Sequence, residues 1–447
     1  MMTEEREKLK VGFTFAIGLA FFTTGVPWSL YNTQVNQQLI LYLGSIALVG
    51  VLMAVDNIIG VIIQPIMGSV SDNTRTRWGR RMPYIFIGVI ASAIFFALIP
   101  TGFSPITDVQ FYRFWLLLIW ILLFSTSMGF YRSQAVALMP DFTRPYNRSK
   151  ANAIINLMGG VGAVIAYTLS LLSDYIGLQL AFILGSVFMI IALIILIFTV
   201  KERDAYTYRM ILDTEKEGKD PSEIQSKVKK PGLIESLKTI ATEKDKSTLF
   251  ILLAILAWFI GYQGAEALFS IYAGPEGIIG VTPGFAGFLF QFVAIPFILF
   301  AVPAGLIATR IGRRLAIKIG LGIMIVVMMF AFLAQANLLI VIIMLVLFGM
   351  GWALVNVNSI VIVWELAPSS EKIGTYTGVY YFFSVLAAII GPPLVGLFTQ
   401  LIGLFTLLAV ISIFFVIALI FMFFVRRGEV ELTEEEKLER QKVIQEL

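Results

Sequence analysis

G-S-V-S-D-N-T-R-T-R-W-G-R-R, Gly68 to Arg81, sits between two long apolar runs, and it returns in shortened form as G-L-I-A-T-R-I-G-R-R, Gly305 to Arg314. A second pair follows the first in the same order and aligns without a gap. D-F-T-R-P-Y-N-R-S-K-A-N from Asp141 matches E-L-A-P-S-S-E-K-I-G-T-Y from Glu365, so that Asp141 corresponds to Glu365 and Arg148 to Lys372. Two motifs repeated in one order mark a chain built by duplication, as many membrane carriers are.

The runs around these loops fix the solvent. Apolar stretches of about 20 residues, long enough to cross a hydrocarbon layer of roughly 30 Å, recur along the whole sequence. The chain is 58% hydrophobic and 14% charged, against about 25% charged for a soluble domain. Six spans are expected at Val11–Gln34, Gly44–Ser71, Met82–Pro100, Tyr112–Pro140, Ala151–Ser173 and Leu178–Val200. Six more are expected at Thr248–Ala273, Pro283–Ala308, Leu315–Gln335, Leu338–Leu366, Ile373–Leu401 and Leu404–Val425. The polar start M-M-T-E-E-R-E-K-L-K with no cleavage site after the first run reads as leading into a retained span, not a removed signal peptide.

All of the 33 Lys and Arg except Arg113 and Arg132 fall on one side of this map or in the tails. Positive residues stay in the cytoplasm, which places both termini and the long central loop there and accounts for the net charge of +4 without nucleic acid. The expected architecture is therefore an all-α polytopic membrane protein with twelve transmembrane helices in two pseudo-symmetric six-helix bundles. Residues 1–200 form the N-terminal bundle and 201–247 a cytoplasmic linker with a short amphipathic helix, where Leu233, Ile234, Leu237 and Ile240 share a face. Residues 248–426 form the C-terminal bundle and 427–447 a cytoplasmic tail whose Thr433 to Glu436 resembles a helix capping box.

Cysteine and histidine are absent. That excludes disulfides, thiolate nucleophiles, Cys/His zinc sites and His-dependent triads. No metal site and no cofactor is expected, and any group exchanging protons inside the membrane near neutral pH must be a carboxylate.

The doubled Gly-to-Arg-Arg loop resembles the signature of the major facilitator superfamily, and the resemblance runs through the whole chain. Within it, Gln64 to Asp72 followed by Trp78 to Pro83 is similar to the sucrose-carrier pattern, and P-I-M-G with N-T-R-T-R-W-G is similar to the glycoside-pentoside-hexuronide:cation symporters. The resemblance implies the major facilitator fold and sugar transport coupled to a cation. It does not carry the relatives' ion sites across, because Gln64 and Gly60 stand where melibiose-type carriers have carboxylates and Ser125 where plant sucrose carriers have an Asp.

Ionisable groups in the bilayer cost several kcal/mol unless paired or hydrated, so each is a functional hypothesis. Asp56 lies about 18 Å into the second span and Arg132 about 13 Å from Asp141. Asp56 reads as a coupling carboxylate or as a fixed partner of Arg132, and Arg132 as a donor to substrate or as that partner. Glu266 follows Trp258 and Tyr262 at four-residue spacing, an aromatic stripe ending in a carboxylate that suits a sugar or simply packs. Comparable stripes hold Trp28, Tyr31 and Asn32, then Asn356 with Trp352 and Ser359, then Tyr380 with Tyr376 and Ser384. Asp72, Arg75, Arg80, Arg81 and Asp141 can form a charge network at the helix ends, which Arg310, Arg313, Arg314 and Glu365 repeat with Thr309 in place of an acid. Such networks resemble the superfamily's cytoplasmic gate.

The function expected is a secondary active sugar:cation symporter working by alternating access, coupled to H+ or Na+, monomeric in the plasma membrane. A facilitator or exporter of another small solute, an organic acid or drug-like molecule, is the alternative on the same fold. A membrane-embedded enzyme or lipid scramblase is disfavoured, because neither a metal-ligand constellation nor a nucleophile motif is present.

Overall fold

A computed structural model of the chain describes residues 9–105, 109–144, 147–216, 233–243, 245–334, 337–367 and 372–429. Among the described residues twelve helical stretches are long and apolar enough to cross a membrane. In chain order the first six are α1 (Val11–Leu43), α2 (Ile46–Asp72), α3 (Met82–Leu98), α4 (Phe111–Phe142), α5 (Arg148–Ile176) and α6 (Leu178–Thr199). Two short helices follow, α7 (Tyr206–Lys216) and α8 (Leu233–Thr242). The second set is α9 (Ser247–Ala273), α10 (Pro283–Phe288) continuing as α11 (Gln291–Ile311), α12 (Arg313–Ala334), α13 (Leu338–Glu365), α14 (Ile373–Ile402) and α15 (Leu407–Phe424). The fold is all-α, with the repeat of six spans that the doubled loops announce.

Two spans differ from the sequence expectation. α1 continues past Gln34 to Leu43 through the amide-rich stretch Asn32–Gln38, because those side chains find partners and need no water. The eighth span is interrupted at Leu289 and Phe290, where the amides of Phe292 and Val293 bond the carbonyls three residues back, each at 3.0 Å. Helices elsewhere run through Pro27, Pro65, Pro140 and the pair Pro392–Pro393, as membrane helices tolerate.

The contacts divide the chain into two compact units. One is Met1–Tyr31 with Ile58–Val228, and the other Asn32–Asn57 with Lys229–Leu447. Both α1 and α2 cross the division. In the first unit α3 packs on α4 and α6, and α5 on α6. Phe96 stacks on Phe182 at 4.6 Å and tilts against Phe124 at 5.4 Å. In the second, α9 packs on α14 and α15, while α13 packs on α11 and α12.

The outer faces are apolar. Leu299, Val302 and Leu306 on α11 are 73, 71 and 61% exposed and lie on one side of the helix. Contiguous apolar surface of this kind is what lipid covers. In the linker, α8 buries Ile240 and half-buries Leu237 while Glu235 and Lys238 face out. The tail's capping-box motif, Thr433 to Glu436, lies outside the described residues.

Candidate solute site and charge networks

In the first unit the loop Gly68–Arg81 builds a buried ionic cluster. Arg80 grips Asp141 with two bonds, Nη2 to Oδ1 at 2.6 Å and Nε to Oδ2 at 3.2 Å. Arg81 Nε reaches the same Oδ2 at 3.3 Å, and its Nη2 lies 2.5 Å from Asp72 Oδ1. Arg81 also donates to Ser71 Oγ. Arg75 turns back and donates to the carbonyl of Asp72 at 2.7 Å. Arg80, Arg81 and Asp141 are all buried, so each charge depends on its partners to offset lost hydration.

A carboxylate that sequence reasoning missed completes the cluster. Glu202, just beyond α6, accepts the backbone N–H groups of Arg81 and Met82 at 2.8 Å, where α3 begins. An anion at a helix N-terminus satisfies donors that the helix itself leaves open. It fits because Gly79 turns the chain with φ +113°, and a Cβ there would lie 2.2 Å from Glu202 Oε2. Burial pushes the Glu202 carboxyl above the usual range, opposed by the backbone donors and reinforced by the charge of Asp141.

The second unit repeats this device. Glu429, beyond α15, accepts the N–H groups of Arg313 and Arg314 at 2.9 and 2.8 Å, beside Gly312 at φ +97°. Arg314 Nε is 3.2 Å from Glu429 Oε1, and Arg313 Nη1 is 2.9 Å from Glu365. Glu429 thus supplies the acid that Thr309 does not; Thr309 bonds the Leu306 carbonyl. Arg310 lies on the exposed side of α11. The signal that could have found both acids is their shared place, just after the sixth and twelfth spans.

The aromatic residues gather on one side of the second unit. Tyr262 of α9 stacks on Trp352 of α13 at 4.2 Å with ring planes 9° apart. Phe259 meets Trp352 edge-on at 5.4 Å and Tyr380 of α14 at 6.4 Å. Tyr380 shares a 3.0 Å hydrogen bond with Ser359, whose hydroxyl also reaches the Asn356 carbonyl at 2.7 Å. Trp258 is not part of this wall. It is fully buried, and its indole N–H has no hydrogen-bond partner among the described residues. The half-buried face of α9 is instead Phe259, Tyr262, Gln263 and Glu266.

Glu266 accepts a hydrogen bond from Asn32 Nδ2 at 3.3 Å in the same unit. One turn along, Asn36 donates to the Ala267 carbonyl at 2.5 Å and accepts from Ser270 at 2.9 Å. Gln34 and Gln37 both donate to the Pro283 carbonyl, at 3.1 and 3.0 Å. Asp56 is buried and accepts from Asn57 Nδ2 at 3.2 Å. In the first unit the Arg132 guanidinium lies 5.3 Å over the Trp28 ring, and Trp28 stacks on Tyr31 at 6.4 Å. Among the described residues no cluster of three carboxylates could hold a metal ion.

The chain matches the Major Facilitator Superfamily over residues 13–278 and again over 269–446. It belongs to that superfamily. As a facilitator-type transporter it is 35% identical, over 103 residues, to the lactose permease of Lactobacillus helveticus, a match covering 23% of this chain and 15% of that one. It is 25% identical over 190 residues to a membrane-associated transporter protein of Mus musculus, covering 40 and 32%. Each likeness thus spans under a third of the relative's length. A D-xylose-proton symporter of known structure superposes with a TM-score of 0.69 over 94% of this chain and 99% of its own, at 16% identity. That likeness is one of fold.

Proposed function

We propose that this superfamily transporter is a secondary active carrier of a glycoside or oligosaccharide, coupled to H+ or Na+ and working by alternating access. The aromatic wall carries the reading. Tyr262 and Phe259 are the half-buried rings against which the C–H face of a pyranose can stack, with Trp352 and Tyr380 packed behind them, and the half-buried Asn356 and Glu266 are partners for hydroxyls. Hydrogen bonds to a carboxylate are about twice as strong as neutral ones, so Glu266 would orient the ring that the aromatics hold.

Arg132, whose guanidinium rests on Trp28 in the first unit, is read as a hydrogen-bond donor to a solute. Asp56 is the coupling group: it is a carboxylate buried within a span, where carrying charge is costly, and binding H+ or Na+ removes that charge. The partial likeness to the lactose permease supports a sugar. We read the chain as a carrier and not an enzyme, monomeric in the plasma membrane, with its termini in the cytoplasm by the distribution of Lys and Arg.

The test is counterflow of labelled mono- and disaccharides by purified protein in liposomes. Saturable exchange of at least one sugar is expected. Exchange of organic acids with no exchange of any sugar, in folded protein, would instead make Arg132 the anchor of an anionic substrate.

A further inference from the structure

A side-chain amide inside a membrane span is costly when unpaired, because no water is at hand to complete its hydrogen bonds. The second unit pairs most of its own. Asn32 donates to Glu266, Gln34 and Gln37 to the Pro283 carbonyl, Asn36 to the Ala267 carbonyl, and Asn358 to the Leu354 carbonyl at 2.9 Å. Gln400 accepts from Ser45 at 2.7 Å. Two amides stand apart. The side chains of Gln263 on α9 and Asn356 on α13 make no hydrogen bond among the described residues.

Both residues are half-buried, in contrast to Trp258 on α9, whose unpaired indole N–H is sealed in packing. Gln263 follows Tyr262 and shares the half-buried face of α9 with Phe259 and Glu266. Asn356 lies one turn beyond Trp352, on which the Tyr262 ring stacks at 4.2 Å. The two open amides therefore belong to the two helices whose rings form that stack. Gly391 on α14 fixes the root of Gln263. A Cβ at Gly391 would lie 2.8 Å from the Ile260 carbonyl oxygen and 3.4 Å from Gln263 Cβ, so α14 passes close to α9 here and only the amide end of Gln263 is left open.

An amide offers an N–H donor and a carbonyl acceptor side by side. A pair of neighbouring hydroxyls is its complement, since each hydroxyl both donates and accepts. A carboxylate or phosphate is not, because it offers acceptors alone and brings a charge that needs a cation. Neither α9, α13 nor α14 contains a Lys or Arg, and the ionisable group on the half-buried face of α9 is the acid Glu266. These three helices are equipped for an uncharged polyol.

On the reading of the chain as a sugar carrier, we infer that Gln263 and Asn356 determine its specificity, and that the solute they read is a neutral sugar ring with adjacent free hydroxyls. Tyr262 and Phe259 hold the C–H face of that ring while the two amides exchange hydrogen bonds with hydroxyls on its edge. Binding supplies the partners that the amides lack. A ring without the matching hydroxyl leaves an amide unpaired and is rejected. A uronate or a sugar phosphate finds no cation on these helices.

The test is competition binding by the full chain in detergent, with glucose, galactose and lactose as first probes. The monodeoxy analogues of whichever binds follow, with glucuronate and galacturonate. In the wild type at least one deoxy analogue, and both uronates, should bind about tenfold more weakly than the parent sugar. Gln263→Leu should lose about tenfold in affinity for the parent, but less than about threefold for the analogue that lacks the hydroxyl Gln263 reads. Asn356→Leu should show the same pattern for a different hydroxyl. Asn358→Leu, which removes a buried and already bonded amide, should lower Tm and leave the ranking of the analogues unchanged. Equal losses for the parent and every analogue in Gln263→Leu and Asn356→Leu, parent affinity within about twofold of wild type in both, or uronates that bind as well as neutral sugars would overturn the assignment. A wild type that binds no sugar would instead sink the sugar reading itself and this inference with it. If Gln263→Leu does not fold, Gln263→Asn, one methylene shorter, takes its place with the same expected pattern, and the wild-type panel decides the neutral-sugar claim without any variant.

Discussion

Asp141 holds two buried guanidinium groups at once, and removing it strands both. Loss of one partner from a buried ion pair costs about 3–5 kcal/mol. Asp141→Ala should therefore cut the yield of folded protein and lower Tm sharply. The corresponding residue of the second half behaves differently, because Glu365 and Arg313 are 34 and 17% exposed and pairs of that kind contribute about 1 kcal/mol or less. Glu365→Ala should lower Tm only slightly. Melting curves of both variants in one detergent check the contrast, and equal losses would show that the two networks carry equal weight.

Glu202 makes a separate prediction from its titration. Burial is the larger influence on its carboxyl and raises it above the ordinary value of 4.5, so between that value and its raised one the folded state binds more proton than the unfolded. Stability from this group is complete below the ordinary value and is lost as pH rises through the raised one. The Tm of the wild type minus that of Glu202→Gln should accordingly fall as pH rises from about 4 to 7. A difference that grows with pH would mean that the backbone donors outweigh burial.

At the scale of single helices, α9 separates packing from recognition. Trp258 and Tyr262 share a four-residue spacing, which was legible in the sequence, but which side of α9 is covered depends on α14 and α15, far along the chain. The packing buries Trp258 completely and leaves Phe259, Tyr262 and Glu266 half-buried. Tyr262→Ala should then weaken sugar binding by about 1–2 kcal/mol, roughly five- to thirtyfold, with Tm little changed. Trp258→Phe should lower Tm while leaving affinity within about threefold. Binding isotherms and melting curves of the two variants check this, and a loss of affinity confined to Trp258→Phe would move the substrate to the other side of the helix.

The loops show the same limit. Gly68–Arg81 and Gly305–Arg314 announced their repeat because all their residues are local. The acids that complete them sit more than a hundred residues away, Glu202 from Arg81 and Glu429 from Arg314. Hydrogen bonding to a backbone N–H leaves no pattern in sequence beyond the matching place of the two acids after the sixth and twelfth spans. The amide run Asn32–Gln38 was likewise visible as polar residues at the end of a span, yet its bonds to α9 and Pro283 require the folded unit.

Over the whole molecule, the spans were readable because each hydrophobic run is continuous and nearly every basic residue lies between runs on one side. Transport demands more than a fold, since one superfamily architecture serves many solutes. What joins the pieces here is a buried carboxylate at Asp56, an aromatic wall in the second unit, and ionic clusters that bind helix ends within each unit.

Accumulation of a labelled sugar in liposomes against its own gradient, under an imposed proton or sodium gradient, tests coupled sugar transport most directly, with wild type and Asp56→Asn side by side. The wild type should concentrate the sugar under one of the two ion gradients, while Asp56→Asn should exchange it without accumulation. Exchange without accumulation in the wild type under both gradients would make the protein a facilitator, and undiminished accumulation by Asp56→Asn would place the coupling group elsewhere.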